Sequence, residues 1–229
     1  MHLDLIVTAF CALGMSSAAT APDGLPELLE KMNQAAAEFR TMSAKVKLTS
    51  HTAVIDDNTV ENGEVHMKRG KSEDMEALLV FPGPSDEKTV ALHGHVVELY
   101  YPKLKLVQEY DFGKHVGLLE QYLLLGFGTS GKDLMKSYSV RLLAPETVEG
   151  QKTAKIELIP KTKEIREQLT KVEIWLAESG AYPVQQKFYR PSKDYTLITY
   201  TGYQSNPPLS ENELRLKVPK DVKKEYPGK

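Results

Sequence analysis

The pair His93-Gly94-His95 is the most metal-like spacing in the chain. A structural zinc takes four protein ligands and a catalytic one three. His51, His66 and His115 are scattered elsewhere, and the single cysteine, Cys11, lies near the N-terminus. The two histidines are therefore expected to be turn residues, with no metal bound. Asp56-Asp57 and Asp86-Glu87 read as turn acids, not as a paired acid and base. The run Gly126-Phe127-Gly128-Thr129-Ser130-Gly131 is glycine-rich. It lacks the Lys-Ser/Thr of a phosphate-binding loop and reads as a flexible loop. A Gly-x-Ser-x-Gly nucleophile elbow is missing too. With no nucleophile–base set, the expectation is a protein that is not an enzyme and needs no cofactor.

One charged side chain is set apart by its position. Arg69 shares strand parity with Val65 and Met67, which places it on the face that those residues bury. A guanidinium there is costly unless it is paired. The chemistry on offer is hydrogen bonding from a fixed fork of donors.

The elements that would position Arg69 are mostly strands. Period-two alternation places Val46 and Leu48, Val65 and Met67, Val97, Leu99 and Tyr101, Ile156 and Leu158, and Val172, Ile174 and Leu176 on one covered face. Val184, Gln186 and Phe188 alternate likewise, and so do Leu214, Leu216 and Val218. Turn residues separate the segments too closely for crossover helices, so the sheet is expected to be antiparallel, with about 11 strands. A sheet that large must curl, split or close. Three helical pieces can cover it. The first is Leu25–Phe39, with Leu28 and Met32 in its apolar stripe. The second is His115–Leu125, carrying Leu118, Leu119, Tyr122, Leu123 and Leu125, and the third is about Gly131–Ser137.

Composition narrows the class. A formal net charge of -2 argues against a nucleic-acid partner. The apolar run Leu5–Met15 followed by Ser16-Ser17-Ala18-Ala19 reads as a signal peptide over residues 1–19, leaving 20–229 as one domain. Removal of that segment takes Cys11 with it, so the exported protein would stand on its core without disulfides. No stretch is long and apolar enough to read as a transmembrane helix.

Taken in order, these segments resemble the LolA-like family of outer-membrane lipoprotein carriers and lipoprotein-sorting proteins. The resemblance is carried by the helix leading into Phe39-Arg40-Thr41-Met42-Ser43-Ala44, by Gly63-Glu64-Val65-His66-Met67-Lys68-Arg69, and by Val97-Glu98-Leu99-Tyr100-Tyr101-Pro102. The apolar segment Leu118–Leu125 and the ending Leu216-Lys217-Val218-Pro219-Lys220-Asp221-Val222 complete it. It implies an α+β, mainly β fold: a single curved sheet forming a half-open β-barrel, with a helical lid over an apolar cavity. The cavity would be lined by the alternating apolar set above. Leu28, Met32, Leu118, Leu119, Tyr122, Leu123 and Leu125 would belong to the lid, and Arg69 would be the lid latch. Family members usually place proline after this arginine, where Gly70 stands here. The implied acceptor lies in Leu123–Leu125.

The resemblance further implies a periplasmic, monomeric carrier that binds the acyl chains of lipoproteins or lipids. It would take them from an inner-membrane ABC-type release complex to an outer-membrane acceptor. The alternative is a lipid- or lipoprotein-sensing regulatory domain of the kind that restrains an anti-sigma factor's protease.

Overall fold

The computed structural model describes residues 24–70, 75–83, 87–113 and 125–227. The predicted signal peptide lies outside them. Helix α1 spans Leu25–Glu38, with Pro26 in its first turn, where the missing N–H costs no intrahelical bond. Leu28, Leu29, Met32 and Ala36 form its buried stripe. The chain then turns extended at Phe39 and enters two long strands, β1 (Thr41–Thr52) and β2 (Asp57–Arg69), which pair along their whole length.

The strands that follow are β3 (Met75–Phe81), β4 (Lys88–His93), β5 (Val96–Tyr101) and β6 (Leu106–Asp111). Helix α2 (Gly131–Ser137) leads into β7 (Tyr138–Leu142), β8 (Glu146–Val148) and β9 (Gln151–Pro160). A one-turn helix α3 (Lys163–Arg166) precedes β10 (Lys171–Ala177), β11 (Pro183–Tyr189) and β12 (Tyr195–Ser205). Helix α4 (Glu211–Leu214) and strand β13 (Lys223–Glu225) complete the described chain.

The thirteen strands among the described residues join one sheet, in the order β13-β6-β5-β4-β3-β2-β1-β12-β11-β10-β9-β7, with β8 on β9. β13 and β7 stand at opposite ends of that order, so the sheet is open, as a half-barrel requires. The expected count of about 11 strands was low. β3, Met75-Glu76-Ala77-Leu78-Leu79-Val80-Phe81, does not alternate because both of its faces are covered. The expectation of a wholly antiparallel sheet fails only at β13, which pairs parallel to β6.

The alternation of Leu214, Leu216 and Val218 does not form a strand. Leu214 ends α4, which a capping box between Ser210 and Glu213 starts. Leu214 packs with Leu78 and Ala91, Leu216 lies partly buried against them, and Val218 is exposed. The alternation thus reports which side chains touch the sheet, without a ladder. This segment covers the outer face of β3 and β4, and His66 on the neighbouring β2 has a buried Nδ1. Over β9 and β10 the outer face is an ionic lattice, with Lys171 at 2.7 Å from Glu173 and Lys155 at 3.4 Å from it.

Candidate functional site

The apolar residues of the inner face fall into two clusters. Ile156, Leu158, Val172, Ile174 and Leu176 pack with Leu28, Leu29, Met32 and Leu134 beneath α1 and α2. Val46, Val65, Met67 and Val97, with Leu48 and Leu99 partly buried at the margin, pack in the other half with Phe39 and Phe127. Tyr101, at the end of β5, is partly buried. The second half holds a cavity. It measures about 40 Å³ and is lined by Val46, Leu48, Val65, Met67, Leu79, Phe81, Ile198 and Tyr200. Four of the sequence-predicted cavity residues therefore meet around one space, while five others fill a core with helices. Register explains the meeting: Val46 lies opposite Tyr200 and Leu48 opposite Ile198 across the β1–β12 ladder.

Of the predicted lid residues, Leu28 and Met32 lie buried on α1. Leu118, Leu119, Tyr122 and Leu123 lie outside the described residues. Leu125 is buried in the first cluster, while Phe127, two residues on, is buried in the second. Segment 125–128 therefore straddles both halves.

Arg69 is one of the side chains that hold this segment. Its Nη2 donates to the Gly128 carbonyl at 2.9 Å and its Nη1 to the Ala36 carbonyl in the last turn of α1 at 3.2 Å. The guanidinium also lies 5.7 Å from the Phe39 ring centroid. The family resemblance implies an acceptor in Leu123–Leu125; the Gly128 carbonyl lies just beyond that range. Arg69 joins helix, strand and loop at one point.

A second holder was missed. Gln186 of β11 is 1% exposed. Its Nε2 donates to the Leu125 carbonyl, and its Oε1 accepts from the Tyr200 hydroxyl at 2.7 Å. Burial pushes the Tyr200 hydroxyl far above the usual tyrosine range, so it stays a donor. The signal was present in the sequence: a polar side chain at the covered parity of Val184 and Phe188.

The backbone of segment 125–128 requires glycine. Gly126 has φ +90 and Gly128 φ +69. A Cβ at Gly126 would lie 2.6 Å from Pro183 Cγ, and one at Gly128 would lie 2.7 Å from Arg69 Nη2. The Gly-x-Gly-x-x-Gly spacing of residues 126–131 matches a dinucleotide fingerprint, but a Cβ at Gly131 would lie 2.6 Å from the Leu29 carbonyl oxygen. These glycines permit close packing in the protein, not an approach to phosphate.

Two clefts flank the segment. One, of about 590 Å³, runs between the C-terminal half of α1 and the 178–182 turn. The other, of about 440 Å³, includes Asn33, Arg69, Ser130 and Asp133. His95 Nε2 lies 3.7 Å from Asp111, and among the described residues no three metal-ligating side chains gather. No described helix is long and apolar enough to cross a membrane.

No family model matches the chain, and no curated protein does. Solved structures share its fold. An uncharacterized conserved protein from Thermus thermophilus superposes with a TM-score of 0.55 at 10% identity, over 89% of this chain and 99% of that one. MucB superposes with a TM-score of 0.54 at 11% identity, over 84% of this chain; the match spans 62% of MucB's own length. A LolA superfamily protein from Nitrosomonas europaea gives 0.41 at 12% identity, over 86% of this chain and 99% of that one. The fold is mainly β: one large, curved, open sheet with a few helices, antiparallel except at β13, and MucB and the Thermus thermophilus protein share it.

Proposed function

We propose that this chain is an exported carrier for the acyl chains of lipoproteins or lipids, acting by binding and not by catalysis. The observation that carries this reading is the closure of the β1–β5 half. Its apolar face is covered by Phe39 and Phe127, and Arg69 bonds the carbonyls of the covering segments at 2.9 and 3.2 Å. The space of about 40 Å³ left beneath them is far too small for a lipid tail.

Exchange follows from the energetics. Each acyl methylene taken from water contributes about 0.8 kcal/mol. A bare face would be a large exposed apolar patch, which the empty protein avoids by covering it. Loading replaces the protein's own side chains with acyl chains, so net affinity is the small difference between two burials. That difference permits release. The apolar run Leu5–Met15 with small residues after it supports export by residues 1–19 and an extracytoplasmic setting. The sequence resemblance supports hand-over from an inner-membrane ABC-type complex to an outer-membrane acceptor, with the carrier as a monomer.

Native mass spectrometry of the protein isolated from its own cells tests the reading. The expected result is a population heavier by an acylated species, lost on delipidation. Uniformly unloaded protein that also fails to bind a fluorescent fatty acid would overturn it. The likeness to MucB favours one other reading, a lipid- or lipoprotein-sensing regulatory domain. Pull-down separates the two: transporter subunits for the carrier, a single-span anti-sigma protein for the sensor.

A further inference from the structure

We infer that Phe127 is the plug of an acyl-chain portal, which opens into the cleft between the C-terminal half of α1 and the 178–182 turn. The inference rests on the carrier reading above and adds the route by which one saturated acyl tail enters.

An aromatic path joins the cleft to the inner cavity. Phe39, Phe127, Tyr182 and Tyr203 contribute to the cleft wall. Tyr182 stacks on Tyr203 at 4.0 Å between centroids, and Tyr203 stacks on Phe127 at 6.2 Å. Phe127 also meets Tyr200 edge-on at 4.9 Å between centroids. Tyr200 in turn lines the cavity with Val46 and Met67. Phe127, 2% exposed, therefore links the aromatic part of a cleft wall that also carries Lys31, Glu38 and Glu178 to an inner apolar space. A tail that replaces Phe127 meets the rings of Phe39, Tyr182 and Tyr203 outside and the apolar cavity inside.

The segment that carries the ring is built to move as a unit. Glycines with positive φ flank Phe127 on either side. The nearby carbonyls are tied by side chains from opposite halves of the sheet, Leu125 by Gln186 and Gly128 by Arg69. Release of those two ties frees the ring without unfolding a strand. The cleft on the other side of Gly128 offers no aromatic path, because Phe127 is the one ring in its wall, beside Asn33, Arg69, Ser130 and Asp133. Burying methylenes against these groups would strip them of water.

The test places a fluorophore at the plug. Phe127→Trp in a Trp175→Phe background leaves one indole, since Trp175 is the only tryptophan in the chain. Titration with a brominated stearate is expected to quench the emission and shift it to the red, at the concentrations that displace cis-parinaric acid from the same protein. Displacement without quenching or shift would overturn the portal and leave the carrier standing. Absence of binding by either fatty acid would overturn both. Should the indole prevent folding, Phe127→Ala serves instead. Loss of the ring contacts is expected to speed cis-parinaric acid uptake by about tenfold, and an unchanged rate would overturn the plug.

Discussion

The Tyr200 hydroxyl donates to Gln186 Oε1 at 2.7 Å, while the same amide donates through Nε2 to the Leu125 carbonyl. Three polar groups satisfy one another at the junction of two apolar clusters. Gln186→Leu would strand both the Leu125 carbonyl and the Tyr200 hydroxyl, each at about 1–3 kcal/mol. Urea unfolding should show a loss of about 2–6 kcal/mol. In Gln186→Leu/Tyr200→Phe only the carbonyl stays unpaired, so the double variant should lose less than the sum of the singles. Strict additivity would mean that the three groups do not act together.

Arg69 should bias the lid toward closure. A hydrogen bond from a charged group contributes about 1.5–3 kcal/mol, which is about a tenfold to hundredfold preference. Arg69→Leu should hold an acylated cargo more tightly and pass it on poorly, while still loading from the donor. Arg69→Lys should not rescue transfer, because a single ammonium lacks the fork that reaches the Ala36 and Gly128 carbonyls together. The measurement is cargo transfer between purified proteins, and unchanged transfer by folded Arg69→Leu would remove the latch.

Gly126 and Gly150 separate packing from backbone strain. Both have positive φ, but a Cβ at Gly150 would have nothing within 4 Å, whereas one at Gly126 would strike Pro183. Gly150→Ala should cost about 1–2 kcal/mol from backbone conformation alone. Gly126→Ala should cost clearly more by denaturant titration. Equal losses would show that Pro183 gives way freely.

Glu173 sets part of the acid stability. Its burial works to raise the carboxyl pKa, but the hydrogen bond from Lys171 and the charges of Lys155 and Lys171 outweigh it, so the group lies below its ordinary 4.5. A carboxyl lowered in the folded state stabilises above its unfolded value, and that contribution is lost as pH falls through the folded value. The thermal midpoint should therefore fall below about pH 4.5, more steeply in the natural protein than in Glu173→Gln. Parallel pH profiles would exclude Glu173 as a source of the slope.

Strand parity made much of this legible in advance. Val46, Leu48, Val65 and Met67 were placed on one face by alternation alone, and they line one cavity. Arg69 was placed on the same face, and its side chain reaches α1 and Gly128 from there. Alternation could not show that Ile156, Leu158, Val172, Ile174 and Leu176 belong to a filled core, because that depends on where α1 and α2 come to rest. Nor could it find β3, whose two covered faces erase the period. Gln186 was visible as a polar residue among apolar neighbours, but its partner Leu125 lies 61 residues away.

Photolabelling with a diazirine-bearing palmitate, followed by peptide mapping, tests the central claim most directly. Adducts are expected on β1, β2 and β3, around Val46, Leu48, Val65 and Leu79, and to disappear under competing palmitate. Adducts confined to the core around Ile156 and Ile174, or none that unlabelled palmitate competes away, would contradict a carrier that opens its β1–β5 half to acyl chains.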